Sequence, residues 1–444
     1  MEIFIKLVQF FLSLTLLITV HEFGHFIVAR LFKIRVTKFY IFFDWGFSLC
    51  KFRRGETEYG LGWLPLGGYC QIAGMVDETQ NASDLAAEPQ PWEFRSKPAW
   101  QRFLVLVAGV TMNLLMAFVI YCGISYAWGS SYIANEDLTY GYNFNEKAES
   151  LGFRDGDRVV CIGGEHIVKY NTILTKVLLA DEATNVVVVR NGERVRFTMP
   201  YEQLNELRNE GDFAGFYEPR IPFIIDSVVS AEALTAGLMR GDRIVGIDDV
   251  AEDDFAAYNE LLTARAGQEA VLAIERGCDT LKIAVPINAD GMIGVIRDPY
   301  LHPRTEHYSL FGSISAGARL TTNTLKEYWQ QLKMIVKPDT GLYKQVGGFI
   351  SIANIFPTTW DWYRFWSMTA FLSIILAIMN IIPIPGLDGG HTLFTLWEMV
   401  TRRKVNDKVL EVAQYIGLAL ILALLIFANG NDIYRLFNIY RLFK

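Results

Sequence analysis

Residues 7–30 read LVQFFLSLTLLITVHEFGHFIVAR, an apolar run that meets no strong positive charge until Arg30 and carries His21, Glu22 and His25 near its end. A helix of this length and composition is long enough to cross a bilayer. On it, His21 and His25 sit one turn apart on the same face, so two imidazoles can converge on one metal ion, most simply zinc. Glu22 flanks that face and can take a proton from a metal-bound water. Gly24 falls on the other flank, where the missing side chain lets a substrate or another helix come close, and Phe23 points away.

Rising about 1.5 Å per residue from Leu7, the helix reaches His21 after roughly 21 Å of a hydrocarbon core about 30 Å thick, which puts Arg30 near the far interface. A secretory leader is the rival reading. It fares poorly, because Lys6 is the only basic residue ahead of the run and no small-residue cleavage site precedes the histidines. Two histidines and a glutamate would also be costly in a lipid-facing leader.

The chain has 444 residues, 51% of them hydrophobic and 14% aromatic, with mean hydropathy +0.22. This is too apolar for a wholly soluble protein and fits a membrane protein with a large soluble part. The net charge of −7 is modest, and no basic block suggests a nucleic-acid surface. Five scattered cysteines show neither metal-ligand spacing nor a disulfide framework. Three more apolar runs, 103–128, 366–382 and 412–428, bring the expected spans to four; Asn113 and Gln414 are their notable polar interruptions. Lysines and arginines crowd the connections after the first and third spans, which predicts that both face the cytosol. Both termini and the 129–365 segment then lie outside, although Arg435, Arg441 and Lys444 weaken the bias.

Two histidines leave a zinc site one protein ligand short of the usual three plus water. The best candidate for the third lies in NIIPIPGLDGG, residues 380–390. The first and third spans must run in the same direction, so Asp388 is reached near the same cytosolic side as His25. Pro383, Pro385 and the glycines break the helix there, and irregular backbone at membrane depth is tolerated only when buried in protein or facing water. An aspartate at such a break should line a polar cavity.

HEFGH near the N-terminus together with NIIPIPGLDGG on a later span resembles the site-2 protease family of intramembrane zinc metalloproteases. The likeness continues in TEYGLGWLPLGGY (57–69), FRSKPAWQR (94–102) and AGVTMN (108–113), and covers essentially the full chain. It implies His21, His25 and Asp388 as ligands of one zinc ion per chain and Glu22 as general base, and Asn380 matches a family position that holds substrate. It further implies a multi-pass protein of the bacterial inner membrane that cuts single-span proteins of the anti-sigma-factor type, and leftover signal peptides. The chain departs from the family pattern at Val110 and Phe349, where proline is common, and at Asp44, Trp45 and Gly46, where a glycine-x-glycine is usual. These departures bear on substrate positioning before chemistry.

The soluble part contains a repeat. AESLGFRDGDRVVCI from Ala148 and ALTAGLMRGDRIVGI from Ala233 align Gly152 with Gly237, Gly156 with Gly241, Asp157 with Asp242 and Arg158 with Arg243. Each copy continues through a helix-like into a strand-like stretch, which resembles tandem PDZ domains. Such domains bind extended peptides at a sheet edge; spacers, covers, or a filter against bulky ectodomains are the other readings, and peptide or protein ligands of the pair are the expected partners beside membrane substrates and lipid.

The expected fold is therefore a polytopic α-helical membrane protein with four transmembrane helices, a membrane-associated β hairpin and two tandem PDZ-like α+β domains. Its parts are a first span (1–32), a cytosolic-side β region and linker (33–102), a second span (103–128), two PDZ-like domains (129–220 and 221–300), an amphipathic helix at 318–336 within a linking region (301–363), a third span with the LDG segment and a following helix (364–400), and a fourth span with the tail (401–444). The hairpin is expected from VTKFYIFF and TEYGLGWLPLGGYCQI around a turn at Arg53–Gly55. Asn113 should find its partner on a neighbouring helix, His391 should be structural rather than a ligand, and His166, His302 and His307 carry no assigned role. The rival from another class is an inactive membrane scaffold whose PDZ pair captures exported peptides.

Overall fold

The structure is a computed structural model that describes residues 2–64, 67–75, 88–180, 184–211 and 213–442. Pro65 and Leu66 of the TEYGLGWLPLGGY run, most of the expected linker at 76–87, and Lys444 lie outside the described residues. The chain forms two compact units: Met1–Gly129 with His307–Lys333 and Tyr343–Lys444, and Ser130–Glu306 with Met334–Leu342.

The first unit holds four helices long and apolar enough to cross a membrane, as the runs predicted. Helix α1 is Glu2–Leu31. A four-stranded sheet follows: β1 (Val36–Ile41), β2 (Phe43–Arg54), β3 (Thr57–Leu64) and β4 (Tyr69–Ile72), in the order β2-β3-β1-β4. Helix α2 (Ala99–Ala127) starts straight after Pro98 and packs along α1. Then come α3 (Leu310–Val336, whose last three residues belong to the second unit), the short α4 (Phe349–Asn354), α5 (Trp362–Ile381), α6 (Asp388–Thr401) and α7 (Asp407–Leu442).

Two expectations about this unit need correction. The hairpin is made by β2 and β3, not by VTKFYIFF and TEYGLGWL; the former supplies β1, which pairs parallel to β3 and antiparallel to β4. The turn at Gly55 was foreseen, but β2 (FDWGFSLCKFRR) lacks clean alternation and its register shifts between Phe43 and Cys50, so it does not read as a strand. The amphipathic helix begins at Leu310, eight residues before 318. Gly312 and Gly317 hide that start, and tertiary packing explains Gly317: a Cβ there would sit 2.5 Å from Cys122 Sγ on α2.

Helix α5 ends at Ile381 because Ile382 precedes a proline and is driven to extended backbone (φ −60°, ψ 134°). The chain turns through Pro383, Pro385 and Gly386, the last at φ +96°, and restarts as α6 at Asp388. Gly389 and Gly390 let α6 fold tightly back: a Cβ on Gly390 would lie 2.7 Å from Ile384 O, and one on Gly389 would collide with Ile382 O.

The second unit carries two larger antiparallel sheets, each over its own core, and two short two-stranded ones (Tyr142–Phe144 with Tyr217–Pro219, and Ser130–Tyr132 with Arg304–Glu306). The first is built from Arg158–Ile162, Glu165–His166, Asn185–Arg190 and Glu193–Thr198, and closes on Tyr142, Phe153, Val159 and Ile173. The second has five strands between Phe223 and Arg297 and encloses Phe223, Ile244, Leu272 and Val285. The internal repeat has a physical basis. Asp157 and Asp242 are fully buried, and each is gripped by two guanidinium bonds: Arg190 to Asp157 at 2.7 and 2.8 Å, Arg276 to Asp242 at 2.7 and 2.7 Å. The same arginines donate to Gly152 O and Gly237 O, and the aspartates also accept from the backbone N–H of Arg154 and Met239. Gly152 and Gly237, at φ +106° and +93°, turn these loops where a side chain would be strained. Arg158 and Arg243, which the alignment paired, are not the residues that grip the aspartates.

Candidate metal centre

Helix α1 presents His21 and His25 from consecutive turns, both buried, and the α5–α6 turn brings Asp388 to them. His21 Nε2 lies 3.0 Å and His25 Nε2 3.3 Å from Asp388 Oδ2, and the two imidazole nitrogens are 3.3 Å apart. Asp388 Oδ2 is buried and makes no aligned hydrogen bond. Three donor atoms crowded in this way suit a tetrahedral ion, whose ligands, at bond lengths of about 2.0–2.1 Å, stand about 3.3 Å from one another. Among the described residues this is the one group of three that could hold a metal.

The orientation of each imidazole is set by α2. His25 Nδ1 lies 2.8 Å from Val105 O; a carbonyl only accepts, so Nδ1 carries the proton and Nε2 keeps its lone pair for the centre. Asn113 lies 3.1 Å from His21 Nδ1, and its Oδ1 is buried without a partner. Turning that amide by half a turn lets Oδ1 accept from His21 Nδ1–H, satisfying both groups and leaving the His21 Nε2 lone pair aimed at Asp388. Asn113 thus finds a neighbouring-helix partner as expected, and the partner is a candidate ligand itself.

Helix α2 also sets the size of the centre. A Cβ on Gly109 would lie 2.5 Å from His25 Nε2 and 2.8 Å from His21 Nε2, so only glycine leaves room there. Gly24 is likewise occupied: a Cβ on it would meet Ala108 O at 2.5 Å. The flank expected to admit either a substrate or another helix therefore admits the helix. Sequence reasoning passed over Gly109, although its spacing from Asn113, one turn along α2, was there to be read.

A cavity of about 420 Å³ opens onto the three donors. Glu22 lines it, half-buried, close to the backbone of Cys70 on β4. Tyr69, Cys70 and Ile72 of β4, Asn380, His391 and Gln414 complete much of its wall. Asn380 Nδ2 stands 3.3 Å from His21 Nε2. His166, His302 and His307 belong to regions of the chain away from these residues in sequence and line no part of this cavity.

An apolar helix bearing two histidines and a glutamate, with an aspartate from a broken helix beside them, has the donor set of a metallohydrolase and lies among helices long and apolar enough to cross a membrane. The sequence profile of peptidase family M50 matches residues 9–424, and the chain belongs to that family, the metalloproteases of site-2 type. It is 28% identical over 466 residues to the regulator of sigma-E protease RseP of Escherichia coli, an alignment that covers 97% of this chain and 98% of that protein. It is equally 28% identical to the regulator of sigma E protease of Haemophilus influenzae, covering 96% and 98%. A Xylella fastidiosa protein whose name assigns it provisionally as a zinc metalloprotease is also 28% identical, over 95% of this chain and 97% of its own length.

Proposed function

We propose that this chain hydrolyses a peptide bond within or beside the membrane span of single-span proteins, with one zinc ion held by His21, His25 and Asp388. The observation that carries the reading is the convergence of these three donors beside Glu22 on helices apolar enough to cross a membrane. When bound, zinc supplies the Lewis acidity that activates water and polarises a carbonyl. Glu22 takes the proton of the attacking water and delivers it to the departing amine nitrogen. Asn380 holds the substrate strand through its amide, and β4, whose backbone reaches Glu22, supports the same strand. Unwinding is required because a helical substrate keeps its scissile carbonyl in an intrahelical bond.

The proposed substrates are of the anti-sigma-factor type, in keeping with the Escherichia coli and Haemophilus influenzae relatives being named regulators of sigma E; leftover signal peptides are a second class. The two sheets of the second unit are proposed as PDZ-like domains, 129–220 and 221–300, on the periplasmic side of a bacterial inner membrane, with the centre toward the cytosol. The β2–β3 hairpin suits a membrane-associated role: Trp45 is 81% exposed, and Phe47, Leu49, Phe52 and Trp63 are exposed beside it. The scaffold reading is not favoured, since the residues needed for catalysis stand together.

Glu22→Gln should retain zinc, measured by metal analysis of the purified protein, and lose cleavage of a membrane-spanning reporter. Asp388→Ala should lose both. Cleavage by the Gln variant would overturn Glu22 as base.

A further inference from the structure

Helix α7 is the apolar helix least engaged with the rest of its unit: only 6% of its apolar window is buried. Its neighbours Val412, Tyr415, Ile416 and Leu418 are exposed, as suits lipid contact. Gln414 stands among them as the clearly polar residue of 412–428, and it is half-buried and lines the cavity of the metal centre. It has no hydrogen-bond partner among the described residues. A primary amide in a membrane span is costly unless it meets a polar partner, and here the cavity is where that partner must arrive.

The backbone explains how α7 is brought to this place. A Cβ on Gly417, one turn beyond Gln414, would collide with the carbonyl oxygen of Pro385. Gly386, at φ +96°, lies under the same turn, where its Cβ would meet Leu418 N at 3.5 Å. Glycine at 417 therefore lets α7 lie directly on the turn that carries Asp388, and this contact fixes Gln414 at the cavity wall.

We propose that Gln414 holds substrate: its amide pairs with a main-chain N–H and C=O that the substrate frees when it unwinds at the scissile bond. The proposal rests on the protease reading above. A carboxamide offers a donor and an acceptor together, so it can satisfy both groups of one peptide unit, whatever the side chain. Asn380 approaches from α5 and Gln414 from α7, so the extended segment is gripped from two helices. The recognised ligand is backbone, which makes the contribution tolerant of substrate sequence.

The test uses the full chain in proteoliposomes with a single-span reporter. Gln414→Met keeps length and removes the amide; KM should rise about thirtyfold, about 2 kcal/mol for two hydrogen bonds, with kcat and zinc content close to the parent. Gln414→Asn should recover part of the loss. A parent-like KM for the Met variant, or a fall in kcat alone, overturns the proposal. In a Glu22→Gln background, a photocrosslinking residue at 414 should capture the reporter and one at Ile416 should not; equal capture at both also overturns it. A parent enzyme that neither binds zinc nor cuts would instead refute the protease reading.

Discussion

Asn113 shows how a residue that is no ligand can decide the chemistry of one. Placed against His21 Nδ1, it fixes which nitrogen of the ring faces Asp388. Replacing it with leucine should weaken zinc binding about 10–100-fold, the usual effect of losing such an outer partner, as read by competition with a chelating dye. Asn113→Asp, which keeps an acceptor, should recover much of that affinity. Gly109→Ala should fail to hold zinc, because its methyl would occupy the space between the imidazoles. The pair His21 and His25 was legible because helix periodicity puts them on one face, with Glu22 on its flank, and Asp388 because prolines and glycines mark a broken span. A neighbouring-helix partner for Asn113 was to be expected, but that the partner is His21, and the roles of Gly109 and Val105 O, depend on how α2 is rotated against α1, which no single sequence reveals.

At the level of elements, the repeated aspartate–arginine clip is the clearest energetic feature of the second unit. Asp242 is buried and its charge is met by Arg276, so Arg276→Met leaves an uncompensated carboxylate and should destabilise the second sheet markedly. Limited proteolysis of the full chain should then cut first within 221–300. Arg243→Met, at the position matched by the sequence repeat, should have a much smaller effect, since Arg243 meets Glu275 at a partly exposed surface pair. The aligned glycines and aspartates were visible because their spacing is preserved. The gripping arginines were not, because Arg190 and Arg276 lie at slightly different distances from their aspartates and only strand pairing brings them together. Similar reasoning applies to the sheet of the first unit, where the parallel pairing of β1 with β3 cannot be inferred from a local turn.

For the whole molecule, four long apolar helices were plain from composition; the division into units was not, since the second unit stops at Glu306 apart from Met334–Leu342, well before the apolar runs resume near 366. Sidedness rests on the lysine and arginine distribution and can be tested with the chain's own thiols. Cys50 and Cys278 are both exposed. A membrane-impermeant maleimide applied to spheroplasts should label Cys278 at once and reach Cys50 only after lysis; the reverse order would invert the proposed topology.

That α2 orients both imidazoles while contributing no ligand also has a consequence for biosynthesis. Once residues up to about 127 have left the ribosome, the two rings can already be held by Val105 and Asn113, long before the span bearing Asp388 has been made. The nascent chain would then carry a poised but incomplete half-site, and capture of the metal would be the closing event of membrane integration. The protease would thus remain silent until its own insertion is nearly finished.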